Sequence, residues 1–178
     1  MIPTAENLKD IFYSGYPAAA SWQVLDELAL AIRNYSIRYE RIQLVPKQTY
    51  YTLRDAVVGI DGLGPQEKGH MALKDIGRQW LSEQCHIDAR EESYFMGLHP
   101  DVLSEDIHFV IECGTTDPSC VWIFLNNDNV EWIGNIPYPF DEESYLWLHQ
   151  FQRGPNFQKY QSEKLQTVRD TFRKFHRT

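Results

Sequence analysis

The run His99-Pro100-Asp101-Val102-Leu103-Ser104-Glu105-Asp106-Ile107-His108-Phe109-Val110-Ile111-Glu112-Cys113-Gly114 carries the side chains best placed to do chemistry. Ten residues separate Asp101 from Glu112. With a turn near Glu105-Asp106, that spacing predicts a hairpin in which the start of one strand lies beside the end of the next, so the two carboxylates meet. Period two puts His108, Val110, Glu112 and Gly114 on one face of the second strand and Ile107, Phe109, Ile111 and Cys113 on the other. Cys113 and His108 therefore form no nucleophile pair, and Cys113 reads as a small hydrophobe of the core. A carboxylate at the end of so apolar a strand needs a partner, because a buried charge is costly unless paired or metal-bound. Two converging carboxylates make a hard-oxygen site suited to Mg²⁺ or Mn²⁺, an ion that takes one or two carboxylates and keeps several waters. Such an ion polarises a phosphoryl oxygen and activates water. The plainer alternative is a capping aspartate and an edge glutamate. His99 is placed to line the same site, although a loop histidine also serves structure.

Elements must position these groups. Residues 5–14 are weakly helical, and Ser21 is the expected N-cap of a helix over 22–34 with Val24, Leu25, Leu28, Ala29 and Ile32 at helical spacing. Residues 37–45 alternate as a strand that Pro46 ends, and 49–58 fit either strand or helix. Gly59, Gly62 and Gly64 mark a loop and the best internal boundary. A helix is expected over 66–84, with Ala72, Leu73, Ile76 and Trp80 on one face. Then come an extended stretch over 87–95, strands over 101–104 and 107–113, a helix from Asp117-Pro118 to 126, and a strand over 130–136. Helices are expected over 142–152 and 156–176, separated by Gly154-Pro155. The order from 66 to 137 is α-β-β-β-α-β, an α/β sheet with helices on its faces. The chain divides into an N-terminal extension (1–62, a helix plus a strand packed on the core), a core (63–140) and a C-terminal helical pair (141–178).

Pro100-Asp101, ten residues, then Glu112-Cys113-Gly114 resembles the PD-(D/E)XK phosphodiesterase superfamily, the fold of many restriction, repair and recombination nucleases. The resemblance spans residues 66–137, and the element order is similar to that superfamily's core, a mixed sheet flanked by helices. It implies a metal site at Asp101 and Glu112, with Glu67 near the start of the preceding helix as a third carboxylate. The sequence departs from the pattern at one place: Gly114 stands at the lysine position. In this family that lysine holds or polarises the attacking water, and some branches move it to the neighbouring helix. Lys74 is the candidate, since Glu67, His70 and Lys74 share a helical face that Arg78 extends. The same face lies opposite Ala72, Ile76 and Trp80, so an ordinary solvated face is the alternative.

Composition sets the frame. The 178 residues are 43% hydrophobic and 24% charged, which excludes general disorder and suits one domain with a terminal appendage. Three cysteines without a CxxC argue against a disulfide framework and a cysteine zinc site. No apolar run approaches the ~20 residues of a membrane span, and the N-terminal residues lack a signal-peptide pattern. A cytoplasmic protein with no membrane partner is expected. There is no P-loop and no Rossmann glycine fingerprint.

The net charge is −8, which discourages nonspecific phosphate binding. Residues 153–178 hold seven basic and two acidic side chains, +5, leaving −13 on residues 1–152. Such a basic tail contacts nucleic acid, clamps the acidic body, or is a solvated helix. Trp122, Trp132, Tyr138 and Phe140 suit either base stacking or a core.

The leading expectation is a Mg²⁺-dependent (or Mn²⁺-dependent) nuclease. It would act on DNA in preference to RNA, inside a larger protein complex of a mobile-element, defence or repair system. Asp101, Glu112 and Glu67 would hold the metal, and Lys74 or a metal-bound water would activate the nucleophile. The alternatives are a catalytically inactive nuclease-like scaffold or binding subunit, and a small acidic interaction protein that neutralises a toxin or mimics nucleic acid.

Overall fold

A computed structural model of the chain describes residues 2–57, 62–91, 93–159 and 170. The elements run α1 (Ala5–Phe12), α2 (Ala19–Arg33), β1 (Ile37–Pro46), α3 (Lys47–Ala56) and α4 (Pro65–Trp80). They continue through a π-helical turn (Leu81–Cys85) to β2 (Ala89–Glu91), β3 (Val102–Ser104), β4 (Phe109–Cys113), α5 (Cys120–Leu125), β5 (Trp132–Ile136) and β6 (Tyr145–Arg153). The strands form one six-stranded mixed sheet in the order β1-β6-β5-β4-β3-β2. β4 and β5 are parallel and every other neighbouring pair is antiparallel. The molecule is thus α/β, with helices on both faces of the sheet.

Strand alternation sorts the apolar side chains into two cores. Ile37, Leu103, Val110, Ile133 and Phe151 meet Leu8, Ile11 and Phe12 of α1, Leu25 and Leu28 of α2, and Val121 and Phe124 of α5. On the opposite face Val102, Ile111, Cys113, Trp132, Ile136 and Leu148 meet Tyr50 of α3 and Leu73 and Ile76 of α4. No described helix is long and apolar enough to cross a membrane.

The hairpin expected over 101–113 is present, and the strand that follows α5 joins the same sheet. Other expectations are corrected. Ser21 is a buried residue inside α2, and Ala18 occupies the N-cap. The ambiguous stretch after Pro46 is helix α3. The helix after Asp117-Pro118 begins only at Cys120, because Asp117 first closes a turn by accepting the Ser119 amide at 2.8 Å.

The largest difference concerns the helix expected over 142–152, which is strand β6. Phe151 stands at helical spacing from both Trp147 and Leu148, yet Leu146 and Leu148, two residues apart, face one core and Phe151 the other. A central strand buried on both faces loses its polar alternation and reads like a buried helix. The expected helix over 156–176 lies outside the described residues, apart from Asp170, which is helical, and residues 156–159, which follow β6 as turn and coil.

Candidate active site

The β3–β4 register pairs Val102 with Ile111 and Leu103 with Val110, which sets Asp101 opposite Glu112. The tight connection rests on Ile107, held at φ 58°, and on Asp106, whose carboxylate accepts from Ser104 Oγ at 2.6 Å and the His108 amide at 3.2 Å. Helix α4 lies across the opposite sheet face and aims two side chains at Asp101. His70 Nε2 stands 2.9 Å from Asp101 Oδ1, and Lys74 Nζ stands 3.6 Å from the same oxygen. Asp101 Oδ2 accepts the Cys113 amide at 2.8 Å. The Glu112 carboxyl lies in hydrogen-bond contact with Asp101.

The two carboxyls differ in their electrostatics. Burial alone would raise the Asp101 pKa, but the hydrogen bond and charge of His70, the Cys113 amide and the Lys74 charge outweigh it and hold the carboxyl below its ordinary value. Burial, followed by the negative charge of Asp101, pushes Glu112 well above the usual carboxylate range. Glu112 therefore retains its proton where an ordinary glutamate has lost it, and the pair avoids carrying two adjacent charges.

Lys74 is only 5% exposed, so it belongs to no solvated face. A lysine almost never buries without an anionic partner, and here Asp101 is in reach. Arg78, one turn further along α4, is exposed and pairs with Asp75 and Glu91. Glu67 is engaged elsewhere, since its carboxylate accepts the Gly64 amide and caps the start of α4. Among the described residues no three His, Cys, Asp or Glu side chains gather as a metal-holding group.

The departure at Gly114 has a structural reason. Gly114 sits at φ 71°, and a Cβ there would lie 2.6 Å from the Tyr138 ring. No side chain can project from this position while Tyr138 covers it. Tyr138 also faces α4, where Gly69 gives way to Tyr50 and Tyr138 together. The tyrosine thus fills the space that a lysine at 114 would need.

The remaining candidates separate. His99 packs edge-on against Tyr94 at 5.3 Å, and His108 faces Asp106 and Glu131 at the surface. Trp122 and Trp132 are core residues. Tyr138 and Phe140 instead line an open cleft of about 1090 Å³ with Tyr39, Arg41, Trp147 and His149, rimmed by Asp10, Asp141 and Glu143. Two groups escaped sequence reasoning: the His70 bond to Asp101, and Asn135, the Cα partner of Glu112 on β5. A lone amide within the apolar strand Trp-Ile-Gly-Asn-Ile was the available signal for the second. No family model, curated protein or solved structure matches this chain.

Proposed function

We propose that the chain is a metal-dependent phosphodiesterase acting on nucleic acid, DNA before RNA, with Asp101, Glu112 and Lys74 as its working residues. The observation that carries the reading is the buried Lys74 ammonium beside the paired carboxylates, next to a Gly114 that can bear no lysine of its own. The element order α4-β2-β3-β4-α5-β5 supports the reading.

The donor set fits Mg²⁺ or Mn²⁺. Asp101 and Glu112 offer hard oxygens side by side, and these ions take few protein carboxylates, leaving their other positions to water and phosphate. When bound, the ion would supply charge neutralisation at the phosphoryl oxygens. Asp101 is held ready by His70 and the Cys113 amide, which fix both of its oxygens. Glu112 would give up its proton on holding a cation. Lys74 directs its ammonium to the attacking water and to the charge that develops on the phosphoryl oxygens. In the reaction the water oxygen bonds to phosphorus, the P–O ester bond breaks, and the proton released by the water ends on the leaving alkoxide.

A second reading keeps the fold as a binding scaffold without chemistry. The acidic rim of the cleft and the full engagement of Asp101 favour it. Cleavage assays separate the two. Supercoiled DNA and RNA incubated with the protein and Mg²⁺ or Mn²⁺ should be cut, and Asp101→Asn should abolish the cut while the protein keeps its fold. Intact substrates with every ion would establish the scaffold reading.

A further inference from the structure

Asn135 sits on β5 in the middle of the sheet and is 2% exposed. A buried amide is costly unless its donors and acceptor are all met. The donors are met: Nδ2 gives hydrogen bonds to Ile11 O at 2.6 Å and Gly114 O at 3.4 Å. These bonds also fix which end of the amide is which, because the flipped amide would set its oxygen against two carbonyls. The acceptor is not met. Oδ1 is buried, and no hydrogen-bond donor among the described residues reaches it.

The position of this oxygen gives it meaning. Parallel register pairs Asn135 with Glu112, so the two side chains leave the sheet on the same face. Across β3–β4, Asp101 stands opposite Glu112. Asp101, Glu112 and Asn135 thus hold successive register positions on adjacent strands, with Glu112 and Asn135 on the α1 side and the Asp101 carboxylate, at the sheet end, reached from α4 and touching Glu112. The next position in the row is His149 on β6, whose Nδ1 is bonded to Tyr39 Oη at 2.8 Å.

We propose that Asn135 Oδ1 is the third protein oxygen of the divalent-cation site formed by Asp101 and Glu112. The proposal rests on the reading that these two carboxylates hold a cation. A neutral carbonyl satisfies the ion without adding a third negative charge to a buried pair. An all-oxygen set also prefers Mg²⁺ or Mn²⁺ to Zn²⁺, which favours nitrogen and sulfur. The Ile11 carbonyl fastens the amide to α1, so the first helix takes part in aiming the ligand.

The test is Mn²⁺ titration of the full chain by calorimetry, with free Mn²⁺ followed by electron paramagnetic resonance. Wild type should bind one Mn²⁺ and Asp101→Asn should not. Asn135→Ala should weaken binding by about tenfold or more, the scale of losing one supporting side chain of a metal site. Asn135→Asp loses both donated hydrogen bonds but keeps an oxygen, and should bind Mn²⁺ at least as well as wild type. A merely structural amide would make the Asp and Ala variants equally poor, and that result overturns the proposal. So does an unchanged affinity in Asn135→Ala. A wild type that binds no Mn²⁺, or an Asp101→Asn variant that binds like wild type, defeats the underlying reading instead. Should the variants fail to fold, the wild type decides. Mg²⁺ should shift the Asn135 side-chain ¹⁵N resonance in wild type and not in Asp101→Asn, and an unmoved resonance in a chain that binds Mg²⁺ refutes the role.

Discussion

Lys74 and Glu112 share one physical problem, a polar head placed where water hardly reaches. For Glu112 the solution is a proton, and this has a measurable consequence. The folded chain holds a proton that the unfolded chain releases above the ordinary carboxylate value, so this group weakens stability as pH rises from that value through the raised folded-state value. Glu112→Gln keeps the shape of the protonated side chain and removes that slope. Calorimetric melts should show the variant more stable than wild type at pH 8, with the gap narrowing toward pH 5. A gap that widens on acidification would mean that Glu112 is ionised in the fold. Asp101 and Glu112 were legible as a pair, because hairpin spacing alone brings them together. Lys74 was legible only as one of two alternatives. A helical wheel places it opposite Ala72 and Ile76 but cannot show that Asp101, from a different element, closes over that face.

At the level of elements, two packing decisions shape the site. Tyr138 lies on Gly114, and each requires the other. Gly114→Ala introduces both a strained backbone and a clash with the ring, and should destabilise by about 1–3 kcal/mol in urea unfolding. An unaltered midpoint would show that the ring has room to move. The second decision is β6, which the sequence presented as a helix. Phe151 stands at helical spacing from Trp147 and Leu148 while Leu146 and Leu148 alternate as on a strand, and only the pairing with β1 and β5 settles the matter. β6 carries His149, whose pKa burial, aided by the Arg41 charge, pushes down to about 3. The folded chain keeps this ring neutral while the unfolded chain protonates it below about 6.5, so stability is full above that value and falls as pH drops toward 3. The loss approaches about 1.4 kcal/mol per pH unit. His149→Gln should flatten the acid limb of a stability–pH curve measured by urea titration, and an equally steep limb would exonerate this residue.

Across the whole molecule the acidic body and the basic C-terminal residues set the conditions for any partner. Two of the tail's basic side chains are bound to the body. Arg153 Nη1 donates to Leu125 O at 2.9 Å and Asn127 O at 3.0 Å, and Lys159 pairs with Asp128 at 2.8 Å. Arg153 meets the carboxyl end of α5, where a cation complements the helix dipole. Arg153→Ala should therefore lower stability by about 1–3 kcal/mol, the range for hydrogen bonds from a charged donor. If thermal melts are unchanged and DNA binding is lost instead, that arginine serves the substrate rather than the fold.

The general α/β class and the hairpin were readable from periodicity and turn residues. The joining of β1 and β6 into the same sheet was not, because pairing between strands so distant in sequence leaves no local pattern. If the protein is a cation-dependent phosphodiesterase that draws its lysine from α4, single-turnover cleavage of DNA by Lys74→Met under saturating Mn²⁺ reads that role alone. The rate should fall by on the order of 10²–10⁴-fold with Mn²⁺ affinity preserved. Cleavage at the wild-type rate would contradict it, as would a wild type that cuts neither DNA nor RNA.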